Sequence, residues 1–296
     1  MEAVMSVDVE EWFHIPSGLD NILPFDQWDQ ALQRVQDVLP KMLDIFEQNH
    51  VTATFFFLGW IAEKHPILVK ETLRRGHEVA THGYAHKLIY NQTPDEFDKD
   101  IIKAKSILEN ITGKCVIGYR APGFSIIPGT EWAFDILAKH GIKYDSSIFP
   151  GKRFYGHYDK FNMEPTIVKV ANNELIEFPQ SIVDFGVFKL SCFGGGYFRL
   201  FPKSFFFMMA RIIERSDRPL ILYIHPRDID TNQPKIPFSF LKKTRHYINI
   251  SKTEQKLSDI TSLFDFKSFE MVISDAAFLE KLKYKTNTEY PAPSNI

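Results

Sequence analysis

The sequence is poor in cysteine, carries no excess of either charge, and holds no long apolar run. Its two cysteines, Cys115 and Cys192, are too few for a disulfide framework and form no CxxC pair. The fold is therefore not expected to depend on them, and a reducing compartment fits. Lys and Arg number 35 against 37 Asp and Glu, a formal net charge of -2. No basic stripe of the kind that a phosphate backbone attracts is present, which argues against nucleic acid as a partner. Apolar runs such as Thr54-Phe55-Phe56-Phe57-Leu58 fall far short of the roughly 20 residues that cross a bilayer, so no transmembrane segment is expected. Residues 1–8 show no basic segment followed by an apolar one and read directly into a strand, so the expected location is cytoplasmic. Internal repeats and low-complexity segments are lacking as well.

What is present is a core-forming composition and a repeating pattern. At 296 residues and 44% hydrophobic, the chain is long enough to bury a full core, and α/β barrels use this length for one domain. Short β-branched or aromatic runs alternate with stretches of helical period, the pattern of βα units around a parallel sheet. Strands are expected at 3–9, 52–57, 78–81, 116–119, 143–145, 175–179, 220–224 and 269–273. Helices are expected at 26–49, 66–75, 93–112, 129–140, 202–216, 239–249, 252–263 and 274–283. Thr93-Pro94-Asp95-Glu96 places a cap, a first-turn proline and an N3 carboxylate as a capping box requires. Gly76 and Gly141 each follow an expected helix, as left-handed C-caps do. Residues 146–200, rich in Gly, Phe, Tyr and Pro, read as an insertion or barrel-top loops with some antiparallel strand. The domain is expected to span 1–284, with 285–296 a polar tail.

Chemistry-bearing residues fall where the strands end. Asp8 and Glu10 close the first, His82 and His86 follow the third, and Arg120, Asp145 and His225 follow three others. In a βα barrel these ends share one face, where active sites are built. Taken singly, an Asp after a strand is a turn or cap residue and a His is a packing residue; their joint placement points to a site. In Thr81-His82-Gly83-Tyr84-Ala85-His86, i,i+4 spacing on a helical turn would point both imidazoles the same way. Two imidazoles and a carboxylate form a common catalytic metal set with open positions. On a strand, i and i+2 face alike, so Glu10 shares the side of Asp8 and is expected as the ligand; if the chain bends, Glu11 replaces it.

These segments resemble a known superfamily. Ser6-Val7-Asp8-Val9-Glu10-Glu11-Trp12-Phe13, the HxxxH segment, Tyr119-Arg120-Ala121-Pro122-Gly123-Phe124-Ser125, Tyr144-Asp145-Ser146-Ser147 and Ile224-His225-Pro226 are similar in order and spacing to the motifs of the polysaccharide deacetylases (NodB-homology, carbohydrate esterase family 4). The resemblance covers roughly residues 3–280. Gly194-Gly195-Gly196-Tyr197-Phe198-Arg199-Leu200 and His225-Pro226-Arg227-Asp228-Ile229-Asp230 resemble a bacterial subgroup found with exopolysaccharide and O-antigen genes. It implies a single-domain, distorted (β/α)7 barrel of NodB type. It also implies a metal-dependent hydrolase that removes an N-acetyl group from an amino sugar or glycan precursor, with one divalent ion, zinc being the expected one. Asp8 matches the general base, Glu10 with His82 and His86 the metal ligands, and Arg120 the arginine that keeps the base charged and aimed. His225 matches the acid that protonates the leaving amine, and Asp145 the carboxylate that aligns it.

The chain departs from the commonest family pattern in two places. Asp8-Val9-Glu10-Glu11 stands where Asp-Asp is usual, and Arg227 stands where an aromatic is expected beside the acid. Tyr197, Phe198 and Trp12 are candidates for stacking on a sugar ring, against a reading as core aromatics and a glycine turn. His50, His65, His77, His140 and His246 are expected at the surface or in caps, with His157 open. Two other readings keep the barrel: an allantoinase-like amidohydrolase acting on a cyclic amide, and a catalytically silent carbohydrate-binding barrel. The sequence leaves oligomeric state open.

Overall fold

In the computed structural model, which describes residues 2–17, 20–152, 156–170 and 173–289, the sheet is organised around β1 (Ala3–Val9). All seven of its residues are buried, as in a parallel strand covered on both faces. A small antiparallel hairpin follows, β2 (Pro16–Ser17) with β3 (Asp20–Asn21). Next come β4 (Thr54–Phe57), β5 (Glu78–Thr81), β6 (Gly118–Tyr119) and β7 (Tyr144–Asp145). The later strands are β8 (Thr166–Val170), β9 (Asn173–Glu177), the hairpin pair β10 (Val183–Asp184) and β11 (Lys189–Leu190), β12 (Leu220–Ile224) and β13 (Phe266–Lys267).

The main sheet runs in the order β12-β1-β4-β5-β6-β7-β9-β8, with β13 paired to the start of β1. From β12 to β9 all seven strands are parallel; β8 alone returns antiparallel along β9. Between the two ends of this path, the Ser181 hydroxyl donates to Pro219 O at 3.1 Å and accepts from Ile221 N at 2.8 Å, and Gly194 bridges Tyr223. The sheet is thereby curled into a distorted barrel of NodB type, as expected, forming a single α/β domain.

Helices pack outside the sheet: α1 (Val35–Gln48), α2 (Gly59–Lys64), α3 (Pro66–Arg74), α4 (Pro94–Thr112), α5 (Trp132–Lys139), α6 (Gly195–Leu200), α7 (Lys203–Arg215), α8 (Phe240–Tyr247) and α9 (Ile250–Thr261). Two more, α10 (Phe269–Ile273) and α11 (Ala276–Glu289), follow β13. The capping box of α4 forms as read, with Thr93 accepting from Glu96 N and Glu96 from Thr93 N. Gly76 and Gly141 take φ of 83° and 76° after their helices, a region that glycine enters without steric cost.

Three expectations change. The stretch 26–49 is a 3-10 turn at Phe25–Gln30 followed by α1, because the Glu11 carboxylate accepts from Arg34 N at 2.7 Å and Val35 N at 2.8 Å and starts the helix there. The expected strand at 269–273 is α10, and the neighbouring strand is β13. Ser268 caps α10 by accepting from Met271 N, while Phe269 and Val272 enter the barrel beside Phe56, Tyr144 and Phe178. A short apolar run fits a strand or a buried helix equally by pattern. The tail from Lys285 is helical to Glu289, and 290–296 lie outside the described residues. Helix α2, not expected from sequence, also forms.

Candidate active site

Strand alternation sends Ser6, Asp8 and, just past the strand end, Glu10 toward the interior. Asp8 and Glu10 are buried. Glu11 faces the other way, onto the start of α1, where burial pushes its carboxyl up to about 7. Glu10 rather than Glu11 meets the histidines: its Oε1 lies 3.0 Å from both His82 Nε2 and His86 Nε2.

The two imidazoles converge through a loop, not the expected helical turn. Gly83 has φ 74° and His86 φ 50°, the latter a left-handed conformation that costs a non-glycine residue free energy and persists only where its surroundings fix it. Those surroundings are identifiable. At the start of α2, Gly59 N and Trp60 N donate to Gly83 O and Tyr84 O at 2.8 and 3.1 Å. The Asp100 carboxylate accepts from Tyr84 N at 2.8 Å, and a Cβ on Gly83 would lie 2.7 Å from its Oδ2.

The outer ring nitrogens fix the tautomers. His82 Nδ1 donates to Arg120 O at 2.6 Å, and His86 Nδ1 donates to Asn21 Oδ1 at 2.7 Å. In neutral imidazoles this leaves Nε2 unprotonated, so two lone pairs and a carboxylate oxygen face one another with no proton among them. Such a donor set fits a divalent cation. Burial alone would raise Glu10, but Arg227, then His86 and His225, outweigh it and hold its carboxyl well below the ordinary range. Burial pushes His86 down, against the opposing pull of Glu10.

Asp8 sits beside this set. Its Oδ1 accepts from Arg120 Nη1 at 2.7 Å. Arg120 is fully buried; the same nitrogen donates to Ser6 Oγ at 2.8 Å, Nε donates to Ser146 O at 3.2 Å, and the guanidinium lies 4.3 Å from the centre of the Phe56 ring. The other Asp8 oxygen, Oδ2, is 3.8 Å from His225 Nε2. Base candidate, metal-ligand candidates and acid candidate therefore occupy one site, as the motif order implied.

Asp145 is the exception. It was expected to align His225, but its Oδ1 accepts from Ser147 Oγ at 2.5 Å and its Oδ2 from Ser147 N at 3.2 Å. It is buried against Glu177, and burial raises both carboxyls. The carboxylate on His225 is Asp228, whose Oδ2 lies 3.0 Å from Nδ1 and whose Oδ1 pairs with Arg199. A carboxylate three residues beyond a His-Pro step was the available signal. Burial pushes His225 well below its ordinary range, Arg227 adds to that, and Glu10 opposes it. Arg227, placed where an aromatic was expected, pairs with Glu10 Oε2.

A cavity of about 380 Å³ opens over these groups. Of the three expected sugar-contacting aromatics, only Tyr197 lines it. Phe198 is buried in the core against Phe206, because the short helix α6 turns it inward. Trp12 donates from Nε1 to Leu32 O at 2.8 Å and packs edge-on against Phe13. His246, read as a surface or capping residue, lines the cavity, and His77 is buried between Phe46 and Phe55. The glycine run has a steric cause at Gly194, where a Cβ would lie 2.0 Å from the Tyr223 ring.

Residues 22–144 match the family model described as "Polysaccharide deacetylase", and residues 146–274 match one described as "Domain of unknown function (DUF3473)". The chain is 33% identical over 110 residues to a peptidoglycan deacetylase of Helicobacter pylori, covering 37% of this chain and 36% of that protein. It is 31% identical over 137 residues to a peptidoglycan-N-acetylglucosamine deacetylase of Bacillus cereus, covering 40% and 50%. The chain thus spans between about a third and half of these relatives' lengths. A crystal structure of a putative polysaccharide deacetylase from Mycobacterium smegmatis superposes with a TM-score of 0.62 at 18% identity, over 95% of this chain and 91% of that one; it supports the fold. Residues 22–144 thus match the polysaccharide deacetylase family, and segments of the chain are similar to peptidoglycan deacetylases of that kind.

Proposed function

We propose that this chain is a metal-dependent hydrolase that releases acetate from an N-acetylated amino sugar or glycan precursor. The observation that carries the reading is the 3.8 Å approach of Asp8 Oδ2 to His225 Nε2 beside the Glu10, His82 and His86 donor set. A divalent cation on those three residues, zinc being the expected ion, would supply Lewis acidity toward water and the acetamide oxygen.

The protein's own residues supply the proton traffic. Asp8, held by Arg120, accepts a proton from the attacking water as its oxygen bonds to the acetamide carbon. When the C–N bond breaks, His225 delivers a proton from Nε2 to the nitrogen, giving acetate and a free amine. Burial and Arg227 oppose the charged imidazole and Glu10 favours it; Asp228 on Nδ1 and Asp8 near Nε2 are the carboxylates beside its two ring nitrogens. In this arrangement the segment 146–274 contributes His225, Asp228, Arg199 and Arg227, the acid side of the site.

The test is acetate release from N-acetylglucosamine oligomers by the purified chain, before and after chelation and with added Zn²⁺. Release that is lost on chelation and restored by the ion supports the reading. Sustained absence of acetate in the metal-loaded protein, across free, phosphorylated and polymeric amino sugars, would overturn it.

A further inference from the structure

The cavity continues past the reacting groups into a corner built by the loop after β7 and by β11. Lys152 and Lys189 line it. The two backbones are adjacent: a Cβ on Gly151 would touch Lys189 Cβ at 3.8 Å, and Lys189 Nζ donates to Pro150 O and Asp159 O, each at 2.9 Å.

The charges around the cavity do not balance. Each lining carboxylate already has its own cation: Asp8 has Arg120, Glu10 has Arg227 and Asp228 has Arg199. Lys189 is held by carbonyls, which carry no net charge. Lys152 is exposed, and no hydrogen bond or ion pair joins it to another described residue. Asp159 and Asp184, on the flanking segments, do not line the cavity. Two lysines without a carboxylate partner therefore line a concave space whose volume is that of a small-molecule site, where low-dielectric walls concentrate the field of their charges.

We infer that this corner is an anion subsite: the acetamido sugar offered to Asp8 and His225 carries a phosphate or a carboxylate, which Lys152 and Lys189 hold. The inference rests on the deacetylase reading for its substrate class, but its charge requirement is testable without turnover. Lysine suits this role as a compact charge with three rotatable donors, and Lys189, tied at two of its three, keeps one for a ligand.

The experiment compares N-acetylglucosamine, its 1-phosphate and N-acetylmuramic acid, by calorimetric binding and by acetate release from the metal-loaded chain. One of the two acidic sugars is expected to bind at least ten-fold more tightly than the neutral one, and which of them does so separates phosphate from carboxylate. That advantage should shrink as salt is raised, and Lys152→Glu should bring the ratio of acidic to neutral affinity toward one, with Lys152→Gln intermediate. Equal binding of all three sugars, or a ratio indifferent to salt and to Lys152→Glu, would overturn the subsite. Equal hydrolysis of all three with no difference in binding ends this inference and leaves the deacetylase reading standing. Preferential binding of an acidic sugar without acetate release from any does the reverse.

Discussion

Asp228 and His225 are joined twice: Asp228 Oδ2 accepts from the His225 backbone N at 2.9 Å and lies 3.0 Å from its ring Nδ1. One carboxylate thus fixes both the backbone turn and the orientation of the imidazole, a role that the sequence pattern had assigned to Asp145.

This pairing separates two variants. Asp228→Asn should lower kcat on the order of 10²-fold, as loss of a general acid's orientation does, and should shift the pH profile of kcat. Asp145→Asn removes a charge from the Glu177 and Ser147 cluster and should reduce stability while leaving that pH profile in place. Steady-state kinetics across pH, with thermal unfolding of each variant, decides between them; a shifted profile only in Asp145→Asn would restore the original assignment.

Asp8→Asn should cost roughly 10²- to 10⁴-fold in kcat, the range for a lost general base. Metal content, read by elemental analysis after gel filtration, should stay at that of the parent protein, because Glu10, His82 and His86 remain. A variant that loses its metal would make Asp8 a ligand instead.

Asn21 touches no proposed reacting atom, yet it fixes the His86 ring through Nδ1. Asn21→Ala should weaken zinc binding about 10- to 100-fold, the usual effect of losing a hydrogen bond to a ligand's far side. Competition with a chromophoric chelator measures this directly, and unchanged affinity would show that the His86 loop holds the ring alone.

Burial pushes Glu78 from 4.5 to about 7, although Thr54, Tyr144 and Glu270 N all donate to it. The folded state therefore holds this proton more tightly than the unfolded chain. Its contribution to stability is present below about pH 4.5 and is lost as pH rises through about 7. Glu78→Gln should gain on the parent protein by about 3 kcal/mol between pH 4.5 and pH 8, from the size of the shift. Urea denaturation of both proteins at the two pH values cancels the other titrating groups, and a parallel pH dependence would reject the assignment.

Local pattern carried much of the fold. The strands at 3–9, 78–81 and 220–224 form as read, each buried along its whole length; the run Leu220–Ile224 is continuously apolar, as a strand covered on both faces allows. The run Phe269–Ile273 failed because five apolar-rich residues do not distinguish a strand from a buried helix. The start of α1 at Val35 was hidden since its cap, Glu11, lies 24 residues away. Within the site, Asp8, Glu10, His82, His86, Arg120 and His225 were legible from strand ends and motif order. Arg199 was not, because a partner distant along the chain leaves no spacing in the sequence, whereas Asp228, three residues after His225, left a local signal that went unused.

The amino-acid sequence by itself determined which residue types exist to bind a cation and move protons, and that they lie at the ends of parallel strands. Tertiary structure alone decided which oxygen meets which nitrogen. It turned Glu10 inward and Glu11 onto a helix, bent the His82–His86 segment through two left-handed residues, and set Asp145 against Ser147 and Glu177 instead of His225. Covalent spacing limits only how far a side chain can be from its neighbours along the chain; distances of 3 Å between residues far apart in sequence are set by packing, burial and the pairing that buried charge requires.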